Sequence, residues 1–401
     1  MAPKGRQALT YITGATLSYI GTAIVPVAMS FAVLGTGHGA SGLGLVLAAQ
    51  TVPTIILLLL GGILSDRWPR RSIMISADFF RALAQAVLAG CLIDGRASLT
   101  LMIVVSALIG MGNAFFQPAS GGFVTEIVAR EQLGRTNGLM RTANALAMVI
   151  GPAVGGAVVV AVGPGWGIAF DAASYIASAI CLLAIQLPAR AAPAARPKQS
   201  VVREMIEAVE AMRQTRWLWL IVAQYGFLNM LAIAPFRVIA PVMLSRTSAG
   251  AGAWGALLSG IGVGAVVGAL ACARRQPRRM LLGVEAAATM LSAPIFLLAM
   301  RAPFPLIVVG SIIFGVGAAM LSVLTITAIQ REIAPSMLSR TMAIVQLADM
   351  GLAPLGYILA GPAIGLLGAA TGLALSGCCT LASVAILCSQ PEIRSFEHRT
   401  S

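Results

Sequence analysis

Charge is scarce in this chain, and most kinds of chemistry are scarce with it. Only 10% of its 401 residues are charged, against about 25% in an ordinary soluble domain. There are 14 acids and two histidines, His38 and His398, which the apolar pattern leaves in a loop and in the tail. No Ser/His/Asp set and no Asp/Glu/His cluster with metal-ligand spacing can be assembled, which argues against an enzyme, a resident metal or a cofactor. No Gly-x-x-x-x-Gly-Lys-Ser/Thr segment occurs, which excludes a pump driven through a phosphate loop. The six cysteines (Cys91, Cys181, Cys272, Cys378, Cys379 and Cys388) sit in apolar runs without metal spacing and read as small apolar filler. Lysine is nearly missing: only Lys4 and Lys198 among 27 basic residues.

Apolar residues are what the chain has. They make up 58% of it, and mean hydropathy is +0.90. A globule this apolar could not cover its surface with polar groups, so its solvent is the bilayer. Runs of about 20 apolar residues, the length that crosses hydrocarbon, recur from Ala8–Leu34 and Gly42–Leu64 through Ser72–Leu92 to Ala369–Ser389. They predict an all-α integral membrane protein of twelve transmembrane helices. The separators are short except for Pro188 to Arg216. Residues 1–187 and 217–401 are therefore expected to form two six-helix bundles, joined by a cytoplasmic linker over 188–216. Within it Val201, Val202, Met205, Ile206, Val209 and Met212 recur at helical spacing, as in an amphipathic helix lying on the membrane face. The first run is too long for a signal-peptide core and is expected to be retained.

The net charge of +13 is a topology signal and not a nucleic-acid footprint, because the cations fall in short loops. With the N-terminus inside, the separators on that side collect nearly all the arginine, and only Arg96, Arg246 and Arg301 lie opposite. Both termini are expected in the cytoplasm and the protein in the plasma membrane, the inner membrane of a bacterium. The halves also repeat. Pro69-Arg70-Arg71 recurs as Pro277-Arg278-Arg279 at offset 208 (277 − 69), and Leu133, Arg135 and Thr136 recur as Leu338, Arg340 and Thr341 at offset 205 (338 − 133). That is the mark of a duplicated six-span unit.

Polar groups inside spans are costly and are functional candidates by default. Asp78 and Arg81 stand three residues apart on one face of the third span, where they form either a structural ion pair or a coupling pair. Arg141 on the fifth span and Asp349 on the eleventh lie at similar depth on repeat-equivalent spans and are a candidate contact on the cytoplasmic side. Glu285 and Arg237 are further intramembrane ions of the second half. Burial favours the neutral form of a carboxyl, which makes Asp78 and Asp349 candidate proton carriers. Tyr19, Asn113, Gln117, Asn144, Gln224, Asn229 and Gln346 are candidate substrate-binding groups of a broad, mainly apolar cavity; Tyr19, Asn113 and Gln117 could equally be hydrogen bonds between helices. Among partners the pattern implies a small molecule, protons and membrane lipid, with no nucleic acid, and a monomer is the default expectation.

Gly62, Asp66, Arg67, Arg70 and Arg71 form a basic loop between the second and third runs, with Glu126 at the end of the fourth as an acid that could pair with Arg67 or Arg70. The spacing Gly-x-x-x-Asp-Arg-x-x-Arg-Arg resembles the loop 2–3 signature of the major facilitator superfamily, with Pro69 in place of a second glycine. Ala147 followed by Gly151, Pro152, Gly155 and Gly156 resembles the antiporter signature of the fifth helix in that superfamily. Asp78-x-x-Arg81, Phe116-Gln117-Pro118-Ala119 and Arg135-Thr136-Asn137-Gly138 are similar to its drug–proton antiporter branch, which includes macrolide-efflux and siderophore-exporting members. The resemblance implies that the basic loop latches two halves at the cytoplasmic side. It further implies that the chain exports a hydrophobic or amphipathic compound, a drug or a siderophore, against protons; import of a nutrient is the weaker alternative. The fourth run lacks the intramembrane arginine common in proton antiporters, and the first has no acid.

Overall fold

A backbone in hydrocarbon must satisfy its own N–H and C=O groups, and a helix does so within one segment. The computed structural model describes residues 3–185, 215–247, 249–275, 277, 279–333 and 335–394, and among these it contains helices and no strand. Twelve helices are long and apolar enough to cross a membrane. The first six are α1 (Pro3–Gly35), α2 (Gly39–Arg67), α3 (Arg70–Ile93), α4 (Leu99–Ile127), α5 (Leu133–Val162) and α6 (Pro164–Ala184). The second six are the spans α7 (Arg216–Leu244), α8 (Gly250–Arg274), α9 (Met280–Ala299), α10 (Phe304–Glu332), α11 (Thr341–Leu367) and α12 (Ala369–Ser389). The expected linker helix lies outside the described residues.

Three spans are interrupted, each just before a proline. A π turn, Asn229–Ile233, divides α7 ahead of Pro235. In α9 the pieces are Met280–Met290 and Ala293–Ala299, with Pro294 in the first turn of the second piece. In α11 the second piece, Ala353–Leu367, likewise carries Pro354 in its first turn. A missing N–H is cheapest where a helix starts anyway.

One expectation is corrected. Gly62, Asp66, Arg67, Arg70 and Arg71 are expected in a loop, but α2 stays helical through Arg67 and α3 begins at Arg70. The apolar run ends earlier than the helix does, because hydrogen bonding continues past the hydrocarbon until Pro69 removes a donor. Only Trp68 and Pro69 separate α2 from α3.

The described residues form two compact units. In one are the residues up to 185 together with 241–259; in the other, those of 215–240 and from 260 onward. Within the first, α1 packs on α6 and α5, α2 on α4, and α3 on α6 and α4. Within the second, α9 packs on α10 and α12, and α7 on α11. Those are the equivalents of α3 with α4 and α6, and of α1 with α5. The backbone repeats as well: α5 ends at Gly163 with φ +92° and α11 at Gly368 with φ +80°, offset 205 (368 − 163). Only glycine adopts that conformation without strain, so both copies keep it.

Burial is inverted relative to a soluble protein. On α3, Asp78 is wholly enclosed while Leu83 on the opposite face is 68% exposed. Outward leucine and inward aspartate is the pattern that lipid selects.

Candidate functional site

In the first unit the polar groups of α3 lie on one stripe, at Asp78, Arg81 and Gln85. All three are buried. Arg81 bonds Asp78 one turn back and gives Nη1 to Asn113 Oδ1 on α4 at 2.8 Å. Its guanidinium also lies 4.3 Å from the centre of the Phe116 ring and 4.2 Å from that of Tyr175 on α6. The cation is thus held by an anion, an amide oxygen and two ring faces, while Arg81 Nε and Asp78 Oδ2 are buried without a hydrogen-bond partner. Gly112 makes the room: a Cβ there would fall 2.9 Å from Arg81 Cδ.

The same network reaches a second carboxylate. Asp171 on α6 is 0% exposed, accepts a hydrogen bond from Gln85 Nε2 at 2.8 Å, and is 3.4 Å from the Thr22 hydroxyl of α1. Thr22 is also 3.4 Å from the Tyr175 hydroxyl. Two acids and one base thus share one sealed core. Asp171, Gln85, Thr22 and Tyr175 were not singled out from sequence. The available signals were a lone acid in the sixth apolar run and the position of Gln85, seven residues past Asp78 on the same helical face.

At the end of this bundle Arg70 approaches Glu126 at 3.3 Å. Arg71 donates to the carbonyls of Leu182 at 2.8 Å and Leu183 at 2.6 Å, capping the C-terminus of α6 with a cation. Arg67 is exposed, and the side chain of Asp66 lies outside the described residues.

On α5, Gly151, Pro152, Gly155 and Gly156 are all buried. Gly151 meets Ala23 and Gly155 meets Ile24, both on α1. A Cβ on Gly156 would fall 2.9 Å from the Ala251 carbonyl oxygen. The glycine-proline stretch is a surface of close helix contact.

In the second unit Glu285 on α9 is 1% exposed and Gln224 on α7 is 2% exposed. Gln224 Nε2 donates to Glu285 Oε2 at 2.7 Å, and the Oε1 atoms of both residues have no partner. Gln224 therefore faces the bundle interior, where Glu285 is its partner. Polarity reveals that an amide in a span needs a partner, not which side holds it. Asn229, the first residue of the π turn, donates to Asp349 Oδ1 at 2.6 Å. Arg237 stands beside Tyr357 and within electrostatic reach of Asp349. Asp349 is thus engaged inside its own unit, and Arg141 acts on Tyr19 in the other.

Of the remaining predicted binding groups, Asn113 takes the helix-to-helix alternative by accepting from Arg81. Gln117, Asn144 and Gln346 are exposed, and Tyr19 is half-buried. A cleft of about 160 Å³ opens beside the π turn, lined by Met230, Pro235, Ile239 and Leu359 among others, and its walls are almost wholly apolar. Among the described residues no group of His, Cys, Asp and Glu could hold a metal ion.

The sequence profile of the Major Facilitator Superfamily matches residues 11–357. The chain is 26% identical over 383 residues to the multidrug efflux pump Tap of Mycolicibacterium fortuitum, covering 89% of each. It is 25% identical over 234 residues to macrolide efflux protein A of Streptococcus pyogenes, spanning 58% of each chain. Among solved structures, the nucleoside transporter NupG superposes with a TM-score of 0.78 at 13% identity, over 96% of this chain and 99% of that one. A bacterial homologue of the iron transporter ferroportin gives 0.74 at 15%, over 96% and 98%. At such identities these structures speak for the fold alone.

Proposed function

The chain belongs to the Major Facilitator Superfamily, and on that ground we propose that it is a proton-coupled exporter. It ejects a hydrophobic or amphipathic small molecule by alternating access while protons return. The names of its relatives, multidrug and macrolide efflux proteins, support export of drug-like compounds. A secreted siderophore falls in the same class of large amphiphile. Nutrient import has less support, because α5 carries the Gly-Pro-x-x-Gly-Gly stretch. The two six-helix halves, 1–187 and 217–401, are the parts that rock. The arginine bias supports a plasma-membrane location with both termini cytoplasmic.

The observation that carries the coupling is the burial of acid. Asp78 and Asp171 in one unit and Glu285 in the other are withdrawn from solvent, and a carboxyl in such a place is where protonation changes the energy of a conformation most. A proton entering down a membrane potential releases about 2.3 kcal/mol per 100 mV. Differential binding of proton and substrate to two conformations converts that into transport.

Efflux of a fluorescent dye or a macrolide from cells expressing the protein should therefore stop when an uncoupler dissipates the gradient. Asp78→Asn should abolish it too, because Arg81 then remains buried without its anion. Efflux indifferent to the uncoupler would remove the antiport.

A further inference from the structure

We propose that Glu285 is the residue through which the transporter carries its proton, held between the Glu285 carboxyl and the Gln224 carboxamide. The assignment rests on the proton-coupled reading above. It starts from a mismatch of donors and acceptors. The pair presents three oxygens and one amide nitrogen. Only the bond from Gln224 Nε2 to Glu285 Oε2 is made, which leaves two buried oxygens, Glu285 Oε1 and Gln224 Oε1, facing protein with nothing to accept from. An ionised carboxylate brings no donor, so both would stay unmet. A carboxylic acid and a primary amide are complementary instead, since each offers one donor and one acceptor. One proton on Glu285 lets its O–H donate to Gln224 Oε1 while the amide N–H donates back, and both orphaned oxygens are then paired.

No fixed charge can take the proton's place. Glu285 is flanked on α9 by Val284, Ala287 and Ala288, which belong to the buried apolar core of its unit together with Phe314, Leu321 and Leu324 of α10. The titratable groups that face it are Tyr225 on α7, whose hydroxyl donates to the Leu321 carbonyl at 3.2 Å, and Cys388 on α12. Asp349 and Arg394 act on those two and not on Glu285. Among the described residues no arginine, lysine or histidine reaches it.

The duplication explains why the second half should hold the movable charge. The buried stripe of α3, Ile73, Met74, Ala77, Asp78 and Arg81, recurs on α9 as Met280, Leu281, Val284, Glu285 and Ala288 at offset 207 (280 − 73), one less than that of the preceding Pro-Arg-Arg, so Glu285 stands where Asp78 does and Ala288 where Arg81 does. The first copy is neutralised by a guanidinium, which never leaves. The second has lost the guanidinium, and the one cation that fits the remaining space is a proton, which can. Asp78 is then the fixed member of the pair of sites and Glu285 the exchangeable one. Tyr225 stands within electrostatic reach of both Glu285 and the half-buried Asp349.

The test uses the purified full-length protein and two readouts. In infrared spectra at neutral pH, the wild type should show a carboxylic-acid C=O stretch that shifts in heavy water. One component of it should vanish in Glu285→Gln and move to higher frequency in Gln224→Met. An unchanged carboxylic-acid region in Glu285→Gln would mean that the group is ionised, and the proposal would be wrong. In sealed vesicles, Glu285→Gln, confirmed as folded by its thermal unfolding, should accumulate no fluorescent dye under an imposed pH difference, falling to the level of protein-free vesicles. If the wild type responds to the pH difference and Glu285→Gln responds equally, the assignment falls and the antiport stands. If the wild type ignores the gradient, both fall.

Discussion

Arg81 is the residue with most to lose. It neutralises Asp78, bonds Asn113 and is sandwiched between Phe116 and Tyr175, so its removal leaves a buried carboxylate with no counter-charge. Stripping one partner of a buried pair costs about 3–5 kcal/mol, while replacing both is often close to neutral. Arg81→Met and Asp78→Asn should each lower the thermal unfolding temperature of the detergent-purified protein sharply. The double variant Asp78→Asn/Arg81→Met should recover most of the loss and regain uncoupler-sensitive efflux. Strictly additive losses in the double variant would show that the two side chains do not act as a pair, and recovered stability without efflux would make Asp78 itself a proton carrier. The pair was legible in the sequence because two charges at i, i+3 in an apolar run can hardly be anything else. Asp171 was not, since its partners Gln85 and Thr22 come from other helices and are neutral.

Helix contacts depend on which side of a small residue meets a neighbour, and a pattern of glycines does not record that. Gly62 belongs to the superfamily-like spacing, yet nothing lies within 4 Å of a Cβ built on it, whereas one on Gly61 would run into the Ala114 carbonyl of α4. Backbone on the far side cannot rotate away as a side chain can, and forced overpacking costs about 1–3 kcal/mol. Gly61→Ala should therefore lower the unfolding temperature and the yield of folded protein, and Gly62→Ala should leave both unchanged. Equal effects at the two positions would mean that α2 and α4 do not cross there. The number and order of spans were readable from the length of the apolar runs. Helix ends were less so: α2 persists through Arg67 because its hydrogen bonds, unlike its hydropathy, do not stop at the lipid boundary. The interruptions in α7, α9 and α11 were missed for a related reason, because a proline announces where a helix is weak without saying how the chain repairs it.

For the molecule as a whole, the decisive quantity is how many charges move per cycle. Lysine scarcity, the cation-rich separators and the sealed acids leave few carriers, and the site assigned to Glu285 holds one proton. If one proton enters for each neutral molecule expelled, one positive charge moves inward per turnover, so the membrane potential drives transport as well as the pH difference. At about 2.3 kcal/mol per 100 mV, that potential alone should sustain roughly a 50-fold gradient of substrate, at 1.36 kcal/mol per tenfold. A singly positive drug changes the arithmetic, because its outward charge cancels that of the proton. Proteoliposomes given a potassium diffusion potential without a pH difference should then accumulate a neutral macrocycle and fail to accumulate a monocationic dye, while a pH difference without potential should drive both. Accumulation of the dye under potential alone would require more than one proton per cycle. The second carrier would then have to come from the pair of acids, Asp78 and Asp171, that share a single arginine in the other bundle.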